Sequence, residues 1–155
     1  MTLIKSISGI RGTIGGKPGE ALTPVDVVKF TAAFGTWIIN NNSSSEKTKI
    51  VIGRDARISG EMVRSLVVGT LQALGINVVD LGLSTTPTVE IAVPDEKAHG
   101  GIILTASHNP KQWNALELLN GKGEFISAAD GAEVLDIAEK EAFNFIDVNK
   151  LGTYS

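Results

Sequence analysis

The chain has 155 residues, 43% of them hydrophobic and 20% charged, and this composition favours one ordinary globular domain. Its formal net charge of -3 argues against a surface that binds nucleic acid, so any anion site has to be local. The chain has no cysteine, which excludes disulfides and thiolate metal sites, and no stretch approaches the length of a membrane span. We therefore expect a soluble, cytoplasmic protein without membrane contacts.

The first half of the sequence predicts strands and helices in alternation. Thr23 and Pro24 are typical of a helix start, and Gly75 is typical of the left-handed residue that ends a helix. The polar, serine-rich residues 40–48 are expected to form a surface loop. The predicted elements are a strand over residues 11–14, a helix from 24 to about 40, a strand over 49–52, a helix from the N-cap Ser59 to Gly75, and a strand over 76–81.

The second half continues the alternation. Its predicted elements are a short helix that begins at Thr86 and ends at Pro94, a buried strand over residues 100–104, a hairpin with arms 115–119 and 124–126 around Asn120 and Gly121, and a helix from Ser127 to about Phe143. Strands that alternate with helices predict a three-layer α/β/α sandwich with a largely parallel sheet. The tail, residues 144–155, shows no clear element.

A polar turn follows the buried strand 100–104 directly, and its sequence is Thr105-Ala106-Ser107-His108-Asn109-Pro110. In open α/β sheets, ligands bind outside the carboxyl ends of the strands, so this turn lies where chemistry is expected. Pro110 fixes its own φ and biases Asn109 away from helix, which stiffens the turn. Serine, asparagine and proline are also ordinary turn formers, and composition alone leaves that interpretation open.

Two kinds of chemistry are open to a serine in such a turn, acyl transfer and phosphoryl transfer. A hydrolase serine needs a nearby general base, and the chain has only His99 and His108 and no Gly-x-Ser-x-Gly elbow, which disfavours acyl transfer. Phosphoryl transfer instead needs cations around a positioned hydroxyl. Arg11 lies among glycines, and Arg54 and Arg57 follow a strand, so all three could serve that need. Each could equally be a solvated surface residue or the partner of a carboxylate.

The turn sequence resembles the phosphoserine loop of the α-D-phosphohexomutases, the family of phosphoglucomutase, phosphomannomutase and phosphoglucosamine mutase. Other segments agree in the expected order: Ser8-Gly9-Ile10-Arg11-Gly12, Gly53-Arg54-Asp55-Ala56-Arg57-Ile58-Ser59-Gly60 and Thr85-Thr86-Pro87-Thr88. The resemblance implies a mixed sheet with one antiparallel edge strand. It covers only the first of the four domains of that family. We therefore expect residues 1–143 to be domain I and residues 144–155 to begin a linker, so that the chain is a fragment.

The resemblance also implies a mechanism. Ser107 would carry a phosphoryl group, donate it to a hexose phosphate, and recover the other phosphate from the resulting hexose bisphosphate. Arg11 and His108 would be catalytic, orienting the phosphoserine and assisting proton movement. Thr105 and Asn109 would hold the loop, and Arg54 would strengthen the positive field. Asp55 and Arg57 would brace the loop.

Two departures from the family pattern qualify this mechanism. Where the family has Asn-Gly-x-Lys, this chain has Asn114-Ala115-Leu116-Glu117, so an anion replaces a cation near the transfer site. Lys111 or Lys122 could compensate. Our hypothesis is that Glu117 lowers transfer activity.

The second departure concerns the metal. The family uses Mg²⁺ bound by the serine phosphate and an aspartate cluster, and this chain has no Asp-x-Asp-x-Asp cluster. The metal would thus touch Ser107 only through its phosphate, and the isolated fragment is expected to be inactive. The alternative function is a catalytically impaired domain of the same fold that binds sugar phosphates or another protein. The sequence leaves the hexose and the oligomeric state open.

Overall fold

The computed structural model describes residues 1–6 and 9–155 of the chain. The elements in chain order are β1 (Ile4–Lys5), β2 (Gly9–Thr13), α1 (Pro24–Asn41), β3 (Lys49–Arg54), α2 (Gly60–Ala73), β4 (Asn77–Leu83), α3 (Thr86–Asp95), β5 (Gly100–Leu104), β6 (Trp113–Leu119), α4 (Ala128–Lys140) and a 3₁₀ helix (Val148–Lys150). The predicted alternation of strands and helices is confirmed. Ser8, part of the first resembling segment, lies outside the described residues. None of the helices in the described ranges has the length and apolar character needed to cross a membrane.

The described strands form one mixed sheet in the order β1-β2-β6-β5-β3-β4. β3 pairs in parallel with β4 and β5, whereas β6 is antiparallel to both β5 and β2. Because β6 is antiparallel to both of its neighbours, β2 and β5 run in the same direction, and β3 and β4 run in that direction too. β1 is antiparallel to β2 and therefore runs in the opposite direction, as β6 does. The expected antiparallel edge strand is confirmed in β1, but β6 is a second antiparallel strand and lies inside the sheet. A short connection from β5 reverses the chain and places β6 beside it, whereas a parallel neighbour would need a crossover helix.

Helices cover the two faces of the sheet, which confirms the three-layer sandwich. On one face α1 packs against both α2 and α4, and their apolar side chains form the larger core. On the other face α3 packs against β3 and β5 over a smaller core. Beside α3, the sheet surface formed by β2 and β6 is open. We call this opening the sheet groove; it is lined by Ser6, Gly9, Arg11, Ala115, Glu117 and Phe125.

β5 is buried along its whole length between the two helix layers. A Cβ added at Gly100 would come within 2.7 Å of Ile38 in α1, and one added at Gly101 within 2.8 Å of Val93 in α3. The two glycines therefore let both helix layers approach the strand closely. The polar turn that follows β5 is thus attached to the most enclosed strand of the sheet.

Three of the predicted helix boundaries are confirmed by their capping geometry. Thr23 caps α1 in a reciprocal capping box with Asp26, and Ser127 caps α4 in the same way with Asp130. Gly75 follows α2 with φ of +83°, the left-handed conformation expected after a helix. These caps pair backbone groups at helix ends with partners inside the chain.

At the start of α2 the predicted N-cap residue is confirmed but its side-chain capping is not, and the ends of α3 and α4 differ from expectation. Ser59 is the N-cap residue of α2, but its side chain does not cap the helix; its hydroxyl instead accepts a hydrogen bond from the buried Asn114 amide at 2.9 Å. α3 runs one residue past Pro94, because proline removes only its own N–H group while Glu96 still donates to a carbonyl of the helix. α4 ends at Lys140, since the next residue, Glu141, takes a left-handed φ of 49°.

The predicted hairpin, whose first arm is part of β6, forms only in part. Its second arm is reduced to one bridge, between Leu119 and Phe125, and the residue with positive φ in the turn is Gly123 rather than Gly121. The Asn120 side chain accepts hydrogen bonds from the N–H groups of Lys122 and Glu124. This side chain widens the turn beyond two residues, which explains the difference.

The tail packs on the free edge of β4. Val78 donates its N–H to the Thr153 carbonyl at 2.8 Å, and the N–H of Ser155 donates back to the Val78 carbonyl at 3.0 Å. The Tyr154 hydroxyl donates to Asp80 at 2.7 Å, and Arg64 lies 3.5 Å from the same carboxylate. Residues 144–155 therefore contain a 3₁₀ turn and a strand-like pairing that periodicity did not reveal. Their role as a linker stays a prediction.

Candidate functional site

The polar turn lies at the carboxyl edge of the sheet, directly after β5. Thr105 is buried, Asn109 is half-buried, and Ser107 and His108 are exposed. Ser107 adopts a φ of 51°, a left-handed backbone that residues with a side chain rarely take. The turn thus presents the serine hydroxyl at the surface, on a backbone that needs support from its surroundings.

One side of the Ser107 backbone is held through Thr105 and Asp55. The Ser107 N–H donates to the Thr105 hydroxyl at 3.1 Å. That hydroxyl donates to the Asp55 carboxylate at 2.6 Å. Because Asp55 follows β3, this chain of hydrogen bonds joins the loops after two neighbouring parallel strands.

The other side is held through Arg57. Its guanidinium group donates to the Ser107 carbonyl at 2.8 Å, to the Pro110 carbonyl at 2.8 Å and to the Trp113 carbonyl at 3.2 Å. The Arg57 Nε atom lies 3.2 Å from Asp55 Oδ2, and the Arg57 backbone N–H donates to the other oxygen of that carboxylate. We call Asp55, Arg57 and Thr105 the serine-loop clamp.

The Arg54 side chain forms no hydrogen bond to the serine turn. One of its terminal nitrogens donates to the Asp55 carbonyl at 3.2 Å, and its Nε atom is buried without a hydrogen-bond partner. Gly60, the first residue of α2, lies next to the Arg54 side chain. Arg54 thus contacts the clamp through the Asp55 carbonyl, and its predicted role in binding phosphate stays a prediction.

Arg11 and Glu117 lie together in the sheet groove, which has a volume of about 200 Å³. Arg11 pairs with Ala115 across β2 and β6, and Gly9 pairs with Glu117, so the two charged side chains are diagonal neighbours on one face. Leu116 pairs with Leu104 in the antiparallel pair of β6 and β5, so Ala115 lies opposite the next residue, Thr105. Since Arg11 pairs with Ala115, Arg11 and Thr105 lie at the same level along the strands. Arg11 is therefore two strands away from the serine turn, at the same edge of the sheet.

Burial raises the pKa of the Glu117 carboxyl above its ordinary value; the positive charge of Arg11 opposes this rise, and the negative charges of Asp55 and Glu90 add to it. Since Arg11 and Asp55 both influence this carboxyl, Glu117 lies within the electrostatic reach of the serine-loop clamp. Lys122 lines a different cavity, together with His99, and is not among the residues that line the sheet groove. Lys111 is exposed in the serine loop.

The two histidines lie at opposite edges of the sheet. His108 is next to Ser107, whereas the His99 Nδ1 atom accepts a hydrogen bond from the Lys49 N–H at 3.0 Å, before β5 begins. His99 also lines a cavity of about 550 Å³ together with Trp37 and Lys122, and that cavity contains none of the predicted site residues. The arrangement gives Ser107 no histidine other than its own neighbour.

The described residues include no group of three or more His, Cys, Asp or Glu side chains that could hold a metal ion. Asp55 supplies the carboxylate of the serine-loop clamp, and its oxygens already accept hydrogen bonds from Thr105 and Arg57. The donor set of this chain therefore does not fit a Mg²⁺ site by itself.

The sequence pointed to the turn, to the arginines and to the bracing role of Asp55 and Arg57. It did not reveal that Asp55 is the residue to which both sides of the Ser107 backbone are connected. The available signal was the Asp-x-Arg spacing directly after a buried strand, at the sheet edge where the serine turn also lies. The geometry suits a hydroxyl that is exposed at the sheet edge on a backbone held from both sides.

Residues 3–145 match the family model described as phosphoglucomutase/phosphomannomutase, alpha/beta/alpha domain I. A phosphoglucomutase/phosphomannomutase from Thermococcus kodakarensis is 34% identical over 143 residues, which cover 91% of this chain and 31% of the relative. A phosphoglucosamine/phosphogalactosamine mutase from Sulfurisphaera tokodaii is 34% identical over 145 residues, covering 94% of this chain and 30% of the relative. The chain thus spans about a third of the length of these curated relatives.

Solved structures agree on the fold. A phosphoglucomutase/phosphomannomutase family protein from Burkholderia thailandensis superimposes with a TM-score of 0.81 over 98% of this chain and 32% of that protein. The two sequences are 23% identical, so this similarity supports the architecture and nothing finer.

Proposed function

The chain belongs to the phosphoglucomutase/phosphomannomutase family, whose α/β/α domain I it matches, and from this premise we propose that it is the phosphoserine-bearing domain of a phosphohexose mutase. The observation that carries the proposal is Ser107 itself. Its hydroxyl is exposed at the carboxyl edge of the sheet, and its left-handed backbone is bonded on both sides to the clamp. Such support suits a group that must be aligned with an acceptor before phosphoryl transfer.

In the proposed reaction, the oxygen of a hexose phosphate hydroxyl attacks the phosphorus on Ser107. The new O–P bond forms as the bond between Oγ and phosphorus breaks, the sugar hydroxyl loses its proton, and the serine oxygen gains one. The resulting hexose bisphosphate then returns its other phosphate to Ser107 through the reverse exchange. The net result moves the phosphoryl group between C1 and C6 of the sugar.

The predicted site residues take the following roles. Arg11, at the height of Thr105 on an open face, would neutralise phosphate charge. His108, exposed beside the nucleophile, would carry the proton. Thr105 and Asn109 would hold the loop; the Asn109 N–H already donates to the Ala106 carbonyl at 3.0 Å. Arg54, which donates to the Asp55 carbonyl, would add to the positive field.

We also propose Mg²⁺ as the cofactor. Since the described residues include no carboxylate cluster, the ion would take only phosphate oxygen from this chain, and its carboxylate ligands would belong to further domains. Those domains, the hexose phosphate and the hexose bisphosphate are the proposed partners. A chain limited to domain I is expected to be inactive on its own, and a cytoplasmic location stays a prediction.

The alternative is a catalytically impaired domain that only binds sugar phosphates or another protein. Glu117, a half-buried carboxylate in the sheet groove, is the feature that would support it. The mutase names of the relatives do not favour this alternative.

Mutase activity of the complete enzyme tests the proposal. Ser107→Ala is expected to abolish the interconversion of hexose 1-phosphate and hexose 6-phosphate, because it removes the atom that carries the phosphoryl group. Ser44→Ala, which removes an exposed serine hydroxyl at the opposite edge of the sheet, is the matched control and should keep full activity. Full activity of Ser107→Ala would rule out Ser107 as the nucleophile.

A further inference from the structure

We propose that Asp55 and Arg57 are positioning residues that set the left-handed backbone of Ser107 and thereby control how readily its hydroxyl takes part in phosphoryl transfer. This inference rests on the proposed function and goes beyond the expected bracing of the loop, since it assigns the two residues control of the conformation of the nucleophile. Neither side chain is proposed to touch the substrate. Both act through the backbone of the nucleophile.

The first step of the argument is conformational. A φ of 51° is unfavourable for a serine, and such a conformation persists only where the surroundings hold it. Here both polar groups of the Ser107 backbone are bound. The N–H reaches Asp55 through Thr105, and the carbonyl reaches Asp55 through Arg57. Asp55 is therefore the common end of the two hydrogen-bonded paths.

The second step concerns the donors of Arg57. Its Nε and both terminal nitrogens already donate to Asp55 and to three backbone carbonyls, those of Ser107, Pro110 and Trp113. The Arg57 side chain is only 11% exposed, so it is held in this geometry. Four of the five N–H donors of the guanidinium are therefore in use, so gripping a phosphate with two donors would require Arg57 to release a carbonyl of the serine loop. These contacts favour a role for Arg57 in positioning the serine loop.

The third step concerns charge. The Asp55 carboxylate alone would repel a phosphoryl group on Ser107. The adjacent Arg57 guanidinium, 3.2 Å away, compensates for this negative charge, so the clamp can hold the loop without opposing phosphorylation. Loss of either partner breaks the geometry and also leaves the other charge uncompensated.

Arg57→Ala in the complete mutase is the primary test. We expect kcat to fall about 100-fold, the effect of misplacing a reacting group by about 1 Å, while KM for the hexose phosphate changes by less than about threefold. Added guanidinium should restore part of the activity, because it can occupy the space left by the side chain. Arg64→Ala is the matched control; it removes an arginine that pairs with Asp80 on the far side of β4 and should leave activity unchanged.

A second measurement does not depend on turnover. In the 155-residue chain, a strong NOE between the Ser107 N–H and its own Hα proton reports the left-handed backbone. We expect this NOE in the unmodified chain and its loss in Arg57→Ala. If Arg57→Ala fails to fold, Asp55→Asn, which keeps the shape of the side chain and removes its charge, is expected to weaken the same NOE and to lower kcat in the same direction.

The outcomes separate this inference from the proposed function. If the unmodified enzyme is not phosphorylated on Ser107, the proposed function fails, whatever the clamp does. If Ser107 is phosphorylated but a folded Arg57→Ala or Asp55→Asn variant keeps both the NOE and kcat, the positioning role is wrong and the proposed function stands. An effect of Arg57→Ala on KM alone would also contradict positioning, since it would indicate direct binding of substrate.

Discussion

The Thr105 hydroxyl donates a hydrogen bond of 2.6 Å to the Asp55 carboxylate, and this bond joins the loop after β5 to the loop after β3. The same hydroxyl accepts the N–H of Ser107. A threonine next to a buried strand thus connects the proposed nucleophile to a neighbouring strand of the sheet. The serine turn is therefore held by the loop after β3 as well as by β5, the strand it follows.

Thr105→Val should destabilise the chain by about 2 kcal/mol. The variant keeps the shape of the side chain but removes the acceptor for the Ser107 N–H and a donor to a charged carboxylate, and hydrogen bonds to charged groups contribute about 1.5–3 kcal/mol. Urea unfolding of the 155-residue chain measures the change. Thr105→Ser keeps the hydroxyl and should lose much less. Equal stability of the valine and serine variants would contradict the importance of this bond.

Ser107→Gly should be more stable than Ser107→Ala by about 1 kcal/mol. Both variants lack the hydroxyl, but only glycine takes a φ of 51° without a steric penalty, whereas alanine retains the strain of a Cβ in the left-handed region. Thermal unfolding of the two variants side by side measures the difference. A more stable alanine variant would show that the backbone at this position is not left-handed.

Glu117→Gln should stabilise the chain near neutral pH by less than about 1 kcal/mol, because solvent screens the charge of a half-buried carboxyl. Because the pKa of Glu117 is raised in the folded state, the folded chain holds this proton more tightly than the unfolded chain does. The carboxyl therefore carries no penalty below its unfolded-state pKa. The penalty grows as the pH rises through the folded-state pKa and is constant above it.

Urea unfolding of the Glu117→Gln variant and of the unmodified chain between about pH 3 and pH 8 checks this sign. The difference in unfolding free energy should shrink towards acidic pH. Glu139→Gln, on the exposed surface of α4, is the control and should show a much smaller dependence. A Glu117→Gln advantage that instead grows towards acidic pH would mean that the pKa is lowered.

Glu117→Lys should raise mutase activity of the complete enzyme about tenfold, an electrostatic effect of about 1.4 kcal/mol. The substitution replaces a negative charge beside Arg11 with a positive one, which should favour binding of phosphate in the sheet groove. Steady-state kinetics with a hexose 1-phosphate measure it. Glu139→Lys changes the net charge by the same amount on a distant helix and should have little effect. An unchanged or lower rate in Glu117→Lys would reject the hypothesis.

Much of the architecture could be predicted from the sequence, because local signals determine it. The caps at Thr23 and Ser127, the stop at Gly75 and the buried run before Thr105 all act over a few residues. The interior position of β6 could not be predicted in this way, since it depends on which strand the chain returns to after the serine turn. The pairing of the tail with β4 is equally non-local.

The same distinction applies to the site. The serine turn was recognisable because its residues are consecutive, whereas the clamp joins residues about 50 positions apart. Periodicity and motif spacing do not specify whether a given arginine contacts a ligand or a carbonyl. Arg57 contacts three carbonyls, Arg54 contacts one, and Arg11 lies in an open groove, and these differences follow from tertiary structure.

The central claim is that Ser107 carries the phosphoryl group. The most direct test is tandem mass spectrometry of the complete enzyme after incubation with a hexose 1,6-bisphosphate and Mg²⁺. We predict one phosphate, located on Ser107, and its loss upon later incubation with an excess of hexose monophosphate. Phosphate on a different residue, or an unmodified Ser107 in an enzyme that still interconverts the two hexose phosphates, would contradict the account.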